Sequence, residues 1–298
     1  MPRLQECVDA LKAQYPDVDY RILEIELGSQ KAVRAAAAEF LSWIDIPELD
    51  ILINSAGVGC LPERIINEDG IEMHLAINHV GHWLFTNLVL PKLIKSSEKS
   101  PKGATRIVNV TSGSPTVSSM RWSDMNFEKK NKDLPAEEQP NYDFFHKVWR
   151  YGDVENKTYV PVDGYNRSKV ANVLFGIGAN KRWFDKYGIV TLAVHPGVIK
   201  TELVRSMAPE TLEVVKEVYM GGMVTVKNLG AGSSTTLVGA LDPKLGNGVG
   251  ETANGSENYG AFLVDCQVSE KAHPLAVSSG EAEKLWKLSE ELVKQEFA

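Results

Sequence analysis

The chain has 298 residues, 43% hydrophobic and 24% charged, which is enough for one α/β domain, 1–298, with a full core. A net charge of −7 argues against a nucleic-acid binder, because phosphate backbones are held by concentrated Lys and Arg. Cys7, Cys60 and Cys266 form neither a disulfide framework nor a zinc spacing; with no apolar signal segment or transmembrane run, the expected location is cytoplasmic.

Leu4, Val8 and Leu11 recur at helical spacing and predict a helix over 3–14, ended by Pro16. Tyr20–Ile25 reads as a short strand, and residues 30–43, with four consecutive alanines, as a helix. Asp50–Asn54 is a buried strand running into Ser55-Ala56-Gly57. Residues 70–96 form a long helical region that Pro91 bends near its end. Arg106–Thr111 is an apolar strand stopped by Ser112-Gly113-Ser114-Pro115. Residues 115–160 differ in being polar, charged and aromatic, with Pro115, Pro135, Pro140 and, at the edge, Pro161. They read as an insertion of irregular or short helical structure. A helix over 164–186, a strand over 189–194 and a turn at His195-Pro196-Gly197 follow. Helices near 209–219 and 226–240, a strand Tyr259–Leu263 and an amphipathic helix over 280–295 complete the chain. Strands alternating with helices predict a parallel sheet covered on both faces.

The chemistry centres on Tyr165-Asn166-Arg167-Ser168-Lys169. Tyr165 and Lys169 share a helix face, because positions i and i+4 are neighbours. A free phenol titrates near ~10, and a nearby ammonium favours the phenolate. Such a pair suits alcohol oxidation or carbonyl reduction, where one proton moves as a hydride leaves or arrives. The competing reading is a surface cation–π or packing pair. Ser112 ends a strand, where open α/β sheets place ligand sites, and its hydroxyl both donates and accepts. Ser114 is the second candidate for that role. Asn54-Ser55-Ala56-Gly57 closes another strand with small residues that admit a ligand close to the backbone. Asn78 sits mid-helix, where Asn is mildly unfavourable and where its amide can replace a helix hydrogen bond and hold a water. His74, Asn78 and His82 share one face, but no acidic or Cys partner has metal-ligand spacing, so no metal is expected. The backbone around Ile199 and the hydroxyl of Thr201, after the Pro196-Gly197 turn, are placed to contact a flat amide ring or a phosphate.

Taken in order, these pieces resemble the short-chain dehydrogenase/reductase family. Asn54-Ser55-Ala56-Gly57 resembles its NNAG motif. Asn78, Ser112, Tyr165 and Lys169 match its Asn-Ser-Tyr-Lys tetrad, and Pro196-Gly197 with Thr201 matches its PGxxxT element. Met73–His82, Ser168–Phe175 and the tail Tyr259–Leu292 are similar to the retinol dehydrogenase and WW-domain oxidoreductase branch. The resemblance implies a Rossmann-type doubly wound parallel sheet of strand order 3-2-1-4-5-6-7. It implies catalysis by Ser112, Tyr165, Lys169 and Asn78, and cofactor binding by Glu26 (at the adenine), Asn54, Tyr165, Lys169, Ile199 and Thr201. The cofactor implied by the branch is NADP, with NAD as the alternative, and pairing through the helices of Asn78 and Tyr165 implies a homodimer.

Two departures accompany the resemblance. The family opens with a strand, a TGxxxGxG loop, a helix and a second strand, and residue 3 already resembles the helix after that unit. The fold expected is therefore N-terminally truncated, lacking the first β-α-β unit. The readings are a misassigned start codon, a fragment, or loss of dinucleotide binding; unpaired backbone groups in the sheet centre favour the first two. Second, Tyr165 follows Ser112 by 53 positions, much farther than in compact members. The excess maps onto 115–160, beside the substrate side. Its aromatics, Trp122, Phe127, Tyr142, Phe144, Phe145, Trp149 and Tyr151, either wall an apolar pocket or anchor the insertion. The function expected is an NAD(P)-dependent oxidoreductase interconverting an alcohol and a ketone or aldehyde on an apolar small molecule, lipid-like or from secondary metabolism. The alternative is a non-catalytic relic that acts by binding a partner.

Overall fold

The computed structural model describes residues 2–221, 224–247, 258 and 261–297. Helices α1 (Pro2–Gln14) and α2 (Gln30–Ser42) lead into strand β1 (Ile51–Asn54). Helix α3 (Met73–Leu75), a π-helical turn over Ala76–Gly81 and helix α4 (His82–Ser97) precede β2 (Arg106–Val110). Helix α5 (Tyr142–Lys147) lies inside the insertion, and α6 (Pro161–Tyr187) leads to β3 (Val190–His195). Then come β4 (Val198–Ile199), α7 (Pro209–Met220), β5 (Val226–Lys227), α8 (Leu229–Leu241), β6 (Phe262–Val264), β7 (Gln267–Val268) and α9 (Ser279–Val293).

The main sheet has the order β1-β2-β3-β6-β7, all parallel except for the antiparallel β7. β4 and β5 pair separately. The register sets Asn54 beside Asn109 and Val110 beside Val194, so β1, β2 and β3 end along one edge, where Ser55, Ser112 and His195 emerge. Strands buried on both faces read as unbroken apolar runs. On one face α4, α6 and α9 bring together the fully buried Trp83, Trp183 and Trp286; the ring centroids of Trp83 and Trp183 lie 5.2 and 5.6 Å from that of Trp286. On the other, Val108, Val190, Leu192 and Val194 pack with Leu263 and with Ala240 of α8. This is the expected α/β arrangement.

Three expectations need correction. Residues 20–25 are irregular, not a strand. A strand exists only through its ladder partners, and this segment pairs with no strand among the described residues. Its apolar residues serve packing instead, with Ile25 against the main core. β1 is accordingly an edge strand, and Ile53 is 41% exposed. The helix expected from 226 starts at Leu229, because Asn228 caps it by accepting from the Ala231 N–H while Val226 and Lys227 pair with β4. The strand expected last, over Tyr259–Leu263, is β6, described from Phe262, and β7 follows it; Tyr259 and Gly260 lie outside the described residues.

The helical region expected over 70–96 begins at Met73 and runs unbroken to Ser97, but it is not uniform. Its middle is the π-helical turn that contains Asn78, and such one-turn widenings recur at functional sites. Gly81 permits it to pack: a Cβ there would lie 2.4 Å from the Leu27 carbonyl oxygen. The insertion holds four short 3₁₀ turns and α5. No helix among the described residues is long and apolar enough to cross a membrane.

Candidate active site

The loop after β1 is held by one stripe of side chains. His82 Nε2 donates to the Ala56 carbonyl at 2.9 Å. Asn78 Oδ1 accepts from the Val58 N–H and Asn78 Nδ2 donates to the Val58 carbonyl, both at 2.9 Å. His74 Nε2 accepts from the Leu61 N–H at 3.1 Å, so its Nδ1 carries the proton and donates to Glu72 at 2.8 Å. The face shared by His74, Asn78 and His82 is thus a backbone clamp. Burial pushes the His82 ring down to about 4, which keeps it neutral. No group of three or more potential metal ligands occurs among the described residues.

Asn78 also donates to Ser168 Oγ at 2.9 Å. Both of its donors are committed to protein, leaving one acceptor lone pair. A Cβ on Gly57 would lie 2.8 Å from Asn78 Oδ1 and 3.6 Å from Lys169 Nζ, so the glycine lets the loop lie flat against the α6 pair. Asn54 turns inward: its Nδ2 donates to Asn109 Oδ1 at 2.8 Å and Thr86 Oγ1 at 3.2 Å. It braces β1 against β2 beneath the site, and the wall is formed by Ser55 and Gly57.

Helix α6 carries Tyr165 and Lys169 on the face toward the strand ends. Lys169 Nζ lies 5.8 Å from the Tyr165 ring centroid and donates to the Val110 carbonyl at 3.0 Å. Lys169 is 4% exposed, and burial drives its ammonium down to about 8. The end of β3 contributes His195, also pushed down to about 4, first by burial and then by Lys227. Its Nδ1 accepts from the Gly197 N–H, so in the neutral ring Nε2 is the donor, beside Gly113.

Two cavities meet here. One, of about 540 Å³, is lined by Ser55, Gly57, Ser112, Tyr165, Lys169, His195, Gly197, Ile199 and Thr201, among others. The other, of about 420 Å³, shares Ser112, Tyr165 and His195 and continues into an apolar wall of Phe144, Val148, Trp149, Val162, Val204, Met207 and Val215. The insertion's aromatics divide between the two roles expected of them. Phe144 and Trp149 line the cavity, Phe145 is buried behind them, and Trp122 anchors the insertion by donating to Glu281 of α9.

Of the residues singled out in the sequence, Ser112, Tyr165, Lys169, Ile199 and Thr201 therefore gather around one space. Asn78 supports its wall from behind. Glu26 is exposed, accepts from the Gly28 N–H, and is not among the residues lining either cavity. His195 and Asn166 went unremarked as site residues; the first sits in a recognised turn and the second inside the recognised motif, but only their neighbours in space reveal them. Ser112 Oγ is in contact with Ser114 Oγ at 2.6 Å, and Ser114 Oγ with Asn166 Oδ1 at 2.7 Å.

A family model described as short chain dehydrogenase matches residues 2–124. Oxidoreductase fscI of Fusarium equiseti is 36% identical over 195 residues, covering 65% of this chain and 72% of that protein. Human retinol dehydrogenase 14 is 32% identical over 273 residues, covering 91% of this chain and 66% of that protein. Among solved structures, an uncharacterized protein from Mycobacterium paratuberculosis superposes with a TM-score of 0.55 at 22% identity, over 92% of this chain and 76% of the other, a likeness of fold. The ordered tetrad, the parallel sheet and these relatives converge on one assignment: the chain belongs to the short-chain dehydrogenase/reductase family of oxidoreductases, in a branch similar to the retinol dehydrogenases.

Proposed function

We propose that the chain is an NAD(P)-dependent oxidoreductase that interconverts an alcohol and a ketone or aldehyde on an apolar small molecule. The observation that carries this reading is the meeting of Ser112 and Tyr165 at the boundary of two cavities, one polar-rimmed beside Lys169 and one walled by apolar side chains. The first fits the nicotinamide–ribose half of the cofactor. Lys169 has donors to spare there beyond its bond to Val110, and Gly57 leaves the loop flat beside it. Ile199 and Thr201 face the same space. When bound, the nicotinamide supplies or accepts a hydride at C4.

The protein's own part is proton movement and positioning. In reduction Tyr165 gives its phenolic proton to the carbonyl oxygen as the carbon gains a hydride; in oxidation the phenolate takes the alcohol proton back. Lys169 favours the phenolate through its charge and holds the nicotinamide ribose. Ser112 hydrogen-bonds the reacting oxygen, and Asn78 positions the Gly57 loop rather than touching substrate. The apolar wall from Phe144 to Val215 excludes water and takes the body of the substrate.

The test is a fluorescence titration with NADPH and NADH, followed by turnover on a panel of long-chain aldehydes and cyclic ketones. NADPH binding and turnover of at least one apolar carbonyl are expected. Ser112→Ala is expected to lower kcat/KM by about 10²- to 10³-fold, the usual cost of one donor to a reacting oxygen. Full-rate turnover by Ser112→Ala would contradict the placement of the reacting oxygen.

A further inference from the structure

Asn166 follows the proposed proton donor, is 5% exposed, and lines the apolar cavity. Its Nδ2 is buried with no hydrogen-bond partner, while Oδ1 accepts from Ser114 Oγ at 2.7 Å. Ser114 Oγ in turn accepts from Ser112 Oγ at 2.6 Å. The three side chains form a relay, and in this direction Ser112 spends its only proton on Ser114. It then faces a ligand as an acceptor.

That arrangement suits an alcohol, which brings its own proton. A carbonyl brings none and requires Ser112 to donate. Half a turn of the Asn166 amide reverses the chain: Nδ2 donates to Ser114 Oγ, Ser114 donates to Ser112 Oγ, and the Ser112 proton is released toward the substrate. The Ser114 N–H already donates to Ser112 Oγ at 3.0 Å, so in this state Ser112 accepts twice and donates once. The turn also relieves the orphaned N–H and leaves an unpartnered acceptor, the less costly of the two. Only a side chain with a donor and an acceptor on one rotatable group serves both directions.

We propose that Asn166 is a positioning residue whose side-chain amide, acting through Ser114, sets whether Ser112 donates to a substrate carbonyl or accepts from a substrate alcohol. The proposal rests on the oxidoreductase reading above. Asn166→Asp keeps the shape and presents acceptors only, so it holds the relay in the alcohol-binding direction. Donation to a carbonyl then costs about one hydrogen bond, roughly tenfold in affinity.

Cyclohexanone and cyclohexanol have one shape and differ in whether the oxygen brings a proton. Their dissociation constants are measured by calorimetry on the non-reacting pairs, the ketone with NADP⁺ and the alcohol with NADPH, and their KM values by turnover. In Asn166→Asp the ketone constants are expected to rise about tenfold and the alcohol constants to change by less than about threefold. The overall equilibrium is fixed, so the change appears in KM and in the equilibrium on the enzyme, not in the ratio of the two kcat/KM values. Ser114→Ala cuts the relay, so adding Asn166→Asp to it is expected to change nothing further. Equal shifts for ketone and alcohol, or additive effects of the two substitutions, overturn the relay while leaving the oxidoreductase reading standing. A wild-type protein that binds and turns over neither compound overturns both.

Discussion

Lys169→Met is expected to cut turnover steeply and to raise the melting temperature together. Lys169 is 4% exposed, and burial lowers the pKa of its ammonium from 10.5 to about 8. A group whose folded pKa lies below its unfolded one destabilises the fold wherever it is charged in both states. The penalty is full below about pH 8 and is relieved as pH rises to 10.5. The shift corresponds to a few kcal/mol at ~1.4 kcal/mol per unit. Methionine fills a similar volume without the charge, and the Val110 carbonyl keeps a second donor, Asn172 Nδ2 at 3.2 Å. The gain expected at pH 7 is ~1–3 kcal/mol, shrinking toward pH 10.5 as the wild type recovers. Turnover is expected to fall by about 10²- to 10⁴-fold, the usual scale of a lost acid–base function, because Tyr165 loses the charge that favours its phenolate. Wild-type kcat/KM is expected to decline above pH 8 as the ammonium titrates. Thermal melts and rate profiles across that range check each part. A variant less stable than wild type at pH 7 would show that the ammonium is held by more than its burial allows.

The second large effect is structural. Residues 118–138 are fastened to α6 by charges that are almost wholly buried. Arg167 Nε donates to Asp163 Oδ1 at 3.0 Å, and Arg121 Nη1 lies 3.9 Å from Asp163 Oδ2. Arg167 also donates to the Ser119 and Glu138 carbonyls, each at 2.8 Å, and Arg121 pairs with Asp124 at 2.6 Å. Asp163→Ala leaves Arg167, a residue 3% exposed, without its counter-ion. Removing one partner of such a pair costs ~3–5 kcal/mol, which urea melts measure directly. The double change Asp163→Leu with Arg167→Met removes both charges and is expected to recover most of that loss. An Asp163→Ala protein within ~1 kcal/mol of wild type would mean that the carbonyl cage alone satisfies Arg167. Because Asp163 lies two residues before Tyr165, the same variant is expected to raise KM through displacement of the Phe144–Trp149 wall.

These effects trace to features of different visibility. The spacing of Tyr165 and Lys169 fixes their common face, since a helix places i and i+4 together whatever surrounds it. The ends of β1, β2 and β3 are legible to within one residue for a similar reason: an apolar run stopped by small residues is a local signal. The Ser112–Tyr165–Lys169 group could therefore be named from sequence, with the family order supplying the weight an isolated pair lacks.

What only the tertiary structure decided depends on partners far along the chain. Residues 20–25 have a strand's composition but no ladder, and pairing is not a property of one segment. Asn54 belongs to a recognised motif, yet its amide goes to Asn109 and Thr86. His74, Asn78 and His82 were visible as a face, but its purpose emerged only when the loop at Ala56, Val58 and Leu61 was seen against it. Asn166 was one letter inside the motif until its unpartnered amide N–H appeared in the cavity wall. Helical periodicity is set within a turn and can be read from the chain; hydrogen-bond satisfaction in a buried site is settled across it, by groups that meet only on folding.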